Sequence, residues 1–316
     1  MPIKKQHPAR KNHLAGIIPL ANLPDKLGMH YHPSLASIKF GYTAVQAAVY
    51  EAAWAGCNTI WIVCNDDVQP LVRHLVGEWI YDPAFVGRSK WGNWDKYPGQ
   101  IVKQIPIFYT GLLAKDIGKR DCYAYSIVHG ADMANKVARG ISQWAVPNKF
   151  YVSFPMGIYN PKALGYYRRQ VKNPKKSFGW RANGKTAKDG YYTGFAFTKE
   201  DLKNFKKRIQ EGTGVYTNKA YEHGSYELLP IEERNSARFF SLDKVLQDVI
   251  FDEKEGFLQD LSWFYKIDRW RGYRAFLTSY QWKLLKHPGP LYTTYREFNQ
   301  IGVDEIEFDE EKDPED

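Results

Sequence analysis

Residues 14–75 set an apolar run, a loop, a capped helix pattern and a second apolar run one after another, and that order constrains the fold more than any other feature of the chain. The run Leu14-Ala15-Gly16-Ile17-Ile18-Pro19-Leu20-Ala21 is stopped by Asn22, Pro24 and Asp25, as a central strand emptying into a loop should be. Thr43 with Gln46 three places on makes a capping box ahead of the apolar positions Val45, Ala48, Val49, Ala52 and Ala53, and Gly56 supplies the stop. Ile60-Trp61-Ile62-Val63-Cys64 then reads as a strand covered on both faces. The unit is βαβ, and the expected fold class is α/β, with a mostly parallel central sheet and helices on both faces. Ligands of such sheets sit beyond the carboxyl ends of the strands, so the loop after residue 20 is the first place to look for function.

The pattern continues downstream. Residues 105–112 predict a strand, and 124–144 a helix with Ile127, Val128, Ala131, Ala134, Val137 and Ile141 on one face. Pro147 precedes a strand at 150–154, and further strands are expected at 191–197 and 261–267. Helices are expected at 199–210, 242–251 and 271–285. Residues 79–99 carry Asp82-Pro83, Gly87, Gly92, Asn93, Pro98 and Gly99 and read as a long structured loop. Residues 165–189 hold Arg168, Arg169, Lys172, Lys175, Lys176, Arg181, Lys185 and Lys188 and read as an exposed basic excursion. Its interleaved Tyr166, Tyr167, Phe178 and Trp180 suit a single-strand nucleic-acid groove, a phosphate-binding lid or a solvated loop with aromatic anchors. The expected organisation is a basic arm at 1–12, one α/β domain at 13–300 with the basic insertion at about 165–189, and an acidic tail at 301–316.

With 44% hydrophobic residues, ten Trp, 22 Tyr and 17 Phe, the chain has the material for a large core, which excludes wholesale disorder. No apolar stretch reaches the roughly 18 residues that a membrane-spanning helix needs. The basic N-terminus with Lys4, Lys5, Arg10 and Lys11 is not followed by a signal-like segment. Cys57, Cys64 and Cys122 are odd in number and lack metal-ligand spacing. These features predict a soluble protein of the reducing cytoplasm with no membrane partner. The net charge of +9 conceals an asymmetry: residues 304–316 hold nine acidic side chains against Lys312, so the tail carries −8 and the rest of the chain +17. Such a body attracts phosphate groups, on nucleotides or on nucleic acid.

In the order and spacing of its elements the chain resembles the sugar-phosphate nucleotidyltransferase family, whose sheet is of the glycosyltransferase-A-like kind, over roughly residues 14–285. Three segments carry the likeness. The first is Gly16-Ile17-Ile18-Pro19-Leu20-Ala21, leading through His32-Pro33-Ser34-Leu35 into the helix and strand at 45–63. The second is Gly190-Tyr191-Tyr192-Thr193-Gly194-Phe195-Ala196-Phe197 with Asp201-Leu202, and the third joins Phe240-Ser241-Leu242-Asp243 to Trp263-Phe264-Tyr265-Lys266-Ile267-Asp268. The resemblance implies that a sugar 1-phosphate oxygen attacks the α-phosphorus of a nucleoside triphosphate and pyrophosphate leaves, with Mg²⁺ and basic side chains neutralising the developing charge. It implies a phosphate contact for Lys26 and a metal-ligand role for Asp268. It further places the backbone of Leu20, Ala21 and Asn22 along the nucleotide. Independently of the resemblance, Arg120-Asp121 lies just before a helix, so Arg120 is expected to assist with a phosphate at that helix start while Asp121 caps it.

The polar groups depart from the family pattern. Asn22-Leu23-Pro24-Asp25-Lys26 stands where the family has a glycine-rich loop, Ser34 follows Pro33 where a lysine is expected, and Cys122-Tyr123-Ala124 replaces a base-contacting turn. The strand at 150–154 runs into Pro155-Met156-Gly157 without the expected metal aspartate. Two alternatives therefore stay open. One is a metal-dependent glycosyltransferase using Asp268 or Asn65-Asp66-Asp67, the latter residues better suiting the N-cap of a helix at 68–75. The other is a noncatalytic descendant binding nucleic acid or a protein partner.

Overall fold

The computed structural model describes residues 12–21, 26–86, 103–112, 123–141, 145–212, 216–220, 226–228, 241–286 and 288. Its centre is an eight-stranded sheet in the order Leu258–Asp260, Phe178–Arg181, Phe195–Thr198, Lys149–Val152, Leu14–Pro19, Thr59–Val63, Gln104–Thr110, Trp79–Tyr81. Leu14–Pro19 lies in the middle with a parallel neighbour on each side, Ile17 facing Trp61 in one and Val152 in the other. The chain first winds outward through Thr59–Val63 to Gln104–Thr110, then returns to the other side of the central strand at Lys149–Val152. The strand order thus reverses at Leu14–Pro19, the switch point where open α/β sheets form a crevice. Antiparallel pairing is confined to the flanks, at Trp79–Tyr81 and on both sides of Phe195–Thr198.

Alternation along the central strand decides which helix covers which face. Gly16 faces the helix Ala44–Ala55, where an added Cβ would lie 3.1 Å from Cys57 Sγ and 3.2 Å from Ala52 Cβ. Ile17 points the other way, onto the helix Tyr123–Ile141, whose Gly130 lets the backbone close on Ile17 and Val63. The expected capping box is present, with the Thr43 N–H donating to Gln46 Oε1 at 2.8 Å. Gly56 ends that helix with φ +83°, in the left-handed region that glycine enters without strain. Cys57 and Cys64 are buried free thiols, and burial pushes both up to about 12. No helix among the described residues is long and apolar enough to cross a membrane.

Several expectations are corrected. Within residues 79–99, Trp79–Tyr81 is an edge strand and Pro83–Val86 a short helix; residues 87–99 lie outside the described set. The segment 165–189 is woven into the fold: it contributes the helix Leu164–Val171 and the sheet strand Phe178–Arg181. Phe178, Gly179 and Trp180 are buried, and Tyr167, Phe178 and Trp180 pack on one another, so the segment lacks the row of exposed rings that a single-strand groove requires. Three of its cations are paired. Arg168 reaches the fully buried Asp82 at 2.5 Å and donates to the Trp54 and Ala53 carbonyls; Arg181 and Lys176 pair with Asp260 and Asp252. The helix at 242–251 stops at Leu246, and 261–267 contains only the two-residue strand Tyr265–Lys266. The expected helix at 271–285 is two, Trp270–Leu277 and Tyr280–Leu284, with Ser279 capping the second through the Trp282 N–H. The basic arm at 1–11 and the acidic tail fall outside the described residues.

Candidate functional site at the strand ends

The carboxyl end of the central strand is tied down by its neighbours. The Leu20 and Ala21 N–H groups both donate to the Val63 carbonyl, at 2.7 and 2.9 Å. A phosphate cradle needs such N–H groups pointing outward, whereas those of the buried Leu20 and Ala21 are committed to the sheet. The Leu20 carbonyl is taken as well, by His32 Nε2 at 3.0 Å, while His32 Nδ1 receives the Ser34 hydroxyl at 2.7 Å. That pair of bonds fixes the neutral Nε2–H tautomer, and burial lowers the imidazole pKa from its ordinary value, so His32 shapes the loop. Asn65-Asp66-Asp67 caps nothing: the following helix is Gln69–Val76, its N-cap is Val68, and it has no side-chain cap. Asp66 instead sits against Gly111 at the end of the neighbouring strand, whose carbonyl lies 3.0 Å from His129 Nε2.

Asp268 lies beyond the end of the neighbouring strand Lys149–Val152. The strand Tyr265–Lys266 pairs antiparallel with Gly157–Ile158, just past the end of Lys149–Val152, and the Ile267 N–H donates to the Met156 carbonyl at 2.9 Å. Asp268 is 7% exposed, and its Oδ2 lies 3.2 Å from Lys266 Nζ. The lysine also sits 4.6 Å from the centre of the Tyr192 ring. Tyr192, Tyr123 and Phe154 form a three-ring cluster under the pair. Burial pushes the Tyr192 hydroxyl up to about 12, with the Asp268 charge adding to the shift and Arg269 opposing it. Burial also raises the Tyr123 hydroxyl, with Tyr192 and then Asp268 adding to the shift. That hydroxyl is buried without a hydrogen-bond partner among the described residues.

Sequence reasoning reached Asp268 but not Lys266, although their spacing was a usable signal: residues two apart in extended chain share a side. Lys26 is exposed at the end of the opening loop, and among the described residues no hydrogen bond or ion pair joins it to Asp268. Asn22 and Arg120 lie outside the described residues. Among the described residues no three His, Cys, Asp or Glu side chains gather to hold a metal ion, and the one carboxylate at this position already faces an ammonium group. The described residues do not fit a protein-held Mg²⁺ at Asp268.

A second carboxylate was missed altogether. Glu51 lies on the sheet-facing side of Ala44–Ala55 and is 4% exposed. The Tyr151 hydroxyl donates to its Oε1 at 2.7 Å, and the Tyr159 hydroxyl stands 3.3 Å from that of Tyr151. Burial raises the Glu51 carboxyl to about 7, partly offset by hydrogen bonds from Tyr159, Tyr151 and Ser153. Gly194 makes room for this group, since a Cβ there would collide with Glu51 Oε1 and both tyrosine hydroxyls. A cavity of about 450 Å³ opens beside it, with Tyr42, Tyr50, Tyr159, Lys162 and Trp263 in its walls.

No protein-family model and no curated protein matches the sequence. Solved structures do resemble the fold. One is described as a glucose-1-phosphate thymidylyltransferase from Bacillus anthracis, in complex with sucrose, at 10% identity and TM-score 0.48 over 83% of this chain and 93% of that one. Another is a UDP-glucose pyrophosphorylase with UDP-glucose, at 11% identity and TM-score 0.49 over 86% of this chain and 100% of that one. A UDP-glucose pyrophosphorylase from Acinetobacter baumannii gives 9% identity and TM-score 0.46 over 92% and 98%. These neighbours are sugar-phosphate nucleotidyltransferases, and at such identity the likeness concerns the fold alone.

Proposed function

We propose that the chain transfers a nucleoside monophosphate from a nucleoside triphosphate to a sugar phosphate, releasing pyrophosphate. The observation that carries this reading is the Lys266–Asp268 pair beside a strand-order switch point, where a doubly wound sheet takes phosphorylated ligands. In the proposed reaction a sugar-phosphate oxygen forms a bond to the α-phosphorus and the bond to pyrophosphate breaks. The chain's part is to position both partners and to set positive charge against the phosphoryl oxygens. Asp268 orients Lys266 toward them, while Lys26 and Arg120 contact the triphosphate. The +17 body favours arrival of the polyanion.

The test is pyrophosphate release from a panel of nucleoside triphosphates and sugar 1-phosphates, supplied as magnesium salts, for the wild type and Asp268→Asn. Release that falls at least about tenfold in the variant supports the site. No release with any pair, together with nucleoside diphosphate release from nucleotide sugars, replaces the reading with glycosyl transfer.

A further inference from the structure

We propose that Lys266, held in place by Asp268, is the anion-binding cation of this crevice and takes the position that a divalent metal would otherwise fill, so that the chain binds a polyphosphate without metal. The inference rests on the strand-end reading above, yet it is argued from the pair itself. Lys266 Nζ has three donors, and the contact with Asp268 at 3.2 Å uses one. The side chain is 35% exposed, and its ammonium group lies 4.6 Å from the centre of the Tyr192 ring and 5.9 Å from that of Tyr191, so it is partly open to solvent and placed by two aromatic faces as well as by Asp268.

The backbone beneath it is fixed on both sides. Gly157 pairs with Lys266 across the two-stranded ribbon, and Gly272 lets the helix Trp270–Leu277 close on the Lys266 carbonyl, where any Cβ would collide. A lysine on so constrained a strand is a placed point charge. The Tyr123 ring packs on that of Tyr192, and its buried hydroxyl has no partner among the described residues. Arg269, close enough to influence the Tyr192 hydroxyl, supplies a second cation. With Lys266 and Arg269 against Asp268, the local charge is positive without a metal, which is the condition for holding an oligophosphate. A metal at Asp268 would instead have to displace the ammonium group or tolerate it within about 3.2 Å.

The experiment is isothermal titration of the full chain with inorganic tripolyphosphate, once in EDTA and once in Mg²⁺, for the wild type, Lys266→Ala, Lys266→Arg and the control Arg181→Gln. The expected result is binding in EDTA that weakens at least tenfold in Lys266→Ala, persists in Lys266→Arg and is unchanged in Arg181→Gln. Thermal melting of each variant establishes that it is folded. Binding that needs Mg²⁺ overturns the proposal, as does equal affinity for Lys266→Ala and wild type, or no binding in EDTA at all. The two readings fail separately. Metal-free binding without pyrophosphate release removes the reaction and leaves the anion site, whereas release with binding that ignores Lys266 does the opposite.

Discussion

Two carboxylates stand on opposite sides of the strand Lys149–Val152, and their surroundings give them different work. Glu51 is buried among the hydroxyls of Tyr151 and Tyr159, with no ion-pair partner among the described residues. Asp268 is nearly as buried but has Lys266 at 3.2 Å. The first is held in the fold by neutral donors and by its own proton, so it fixes the packing of a helix on the sheet. The second keeps its charge matched and holds a cation where solvent, or a ligand, reaches it. Burial alone therefore does not mark a functional carboxylate; the group that answers its charge does.

The largest expected effect comes from filling the space that Glu51 occupies. Gly194→Ala pushes a methyl group into Glu51 Oε1 and both tyrosine hydroxyls, and should cost about 3 kcal/mol of stability. Denaturant titration measures it, and a near-neutral result would show that the tyrosine cluster is loosely packed.

Glu51→Gln bears on the proton. The folded carboxyl, raised to about 7, lies above its ordinary 4.5, so the folded state keeps a proton that the unfolded chain releases. The associated stability is complete below pH 4.5 and is lost as the pH climbs toward 7, about 3 kcal/mol over that window. The variant should flatten this part of the stability–pH curve and be the more stable form at pH 8. An unchanged slope would mean that the proton belongs to another group.

Lys266→Ala converts the second region into a copy of the first, leaving Asp268 buried without its cation. Because the lysine is partly exposed, the loss should be about 1–2 kcal/mol. Denaturant titration of the variant at neutral pH measures it. Arg181→Gln, at an exposed pair on the sheet edge, should change neither stability nor tripolyphosphate binding. If it does, the anion site extends to that edge and the contrast between the two regions dissolves.

Local signals carried the scaffold. The Thr43–Gln46 box and Gly56 bounded the helix Ala44–Ala55 because capping is settled within a few residues, and continuous apolar runs at 14–21 and 60–64 are what strands covered on both faces require. Composition misled at 165–189, because a count of Arg and Lys does not reveal that Asp82, Asp252 and Asp260 wait elsewhere in the chain to pair with Arg168, Lys176 and Arg181. Trp79–Tyr81 was missed since a three-residue edge strand has too short a period to register.

The site divides in the same way. The apolar period and the element order were enough to state the α/β class and the crevice beyond residue 20, because both depend on neighbours in sequence. That Leu20 and Ala21 spend their N–H groups on Val63, and that Glu51 meets Tyr151 a hundred residues away, was decided only by the tertiary structure. So were the Tyr123 and Tyr192 rings beneath Lys266 and Asp268. Hydrogen bonds and charges act over a few ångströms of space, and the fold alone sets which distant residues lie within that reach.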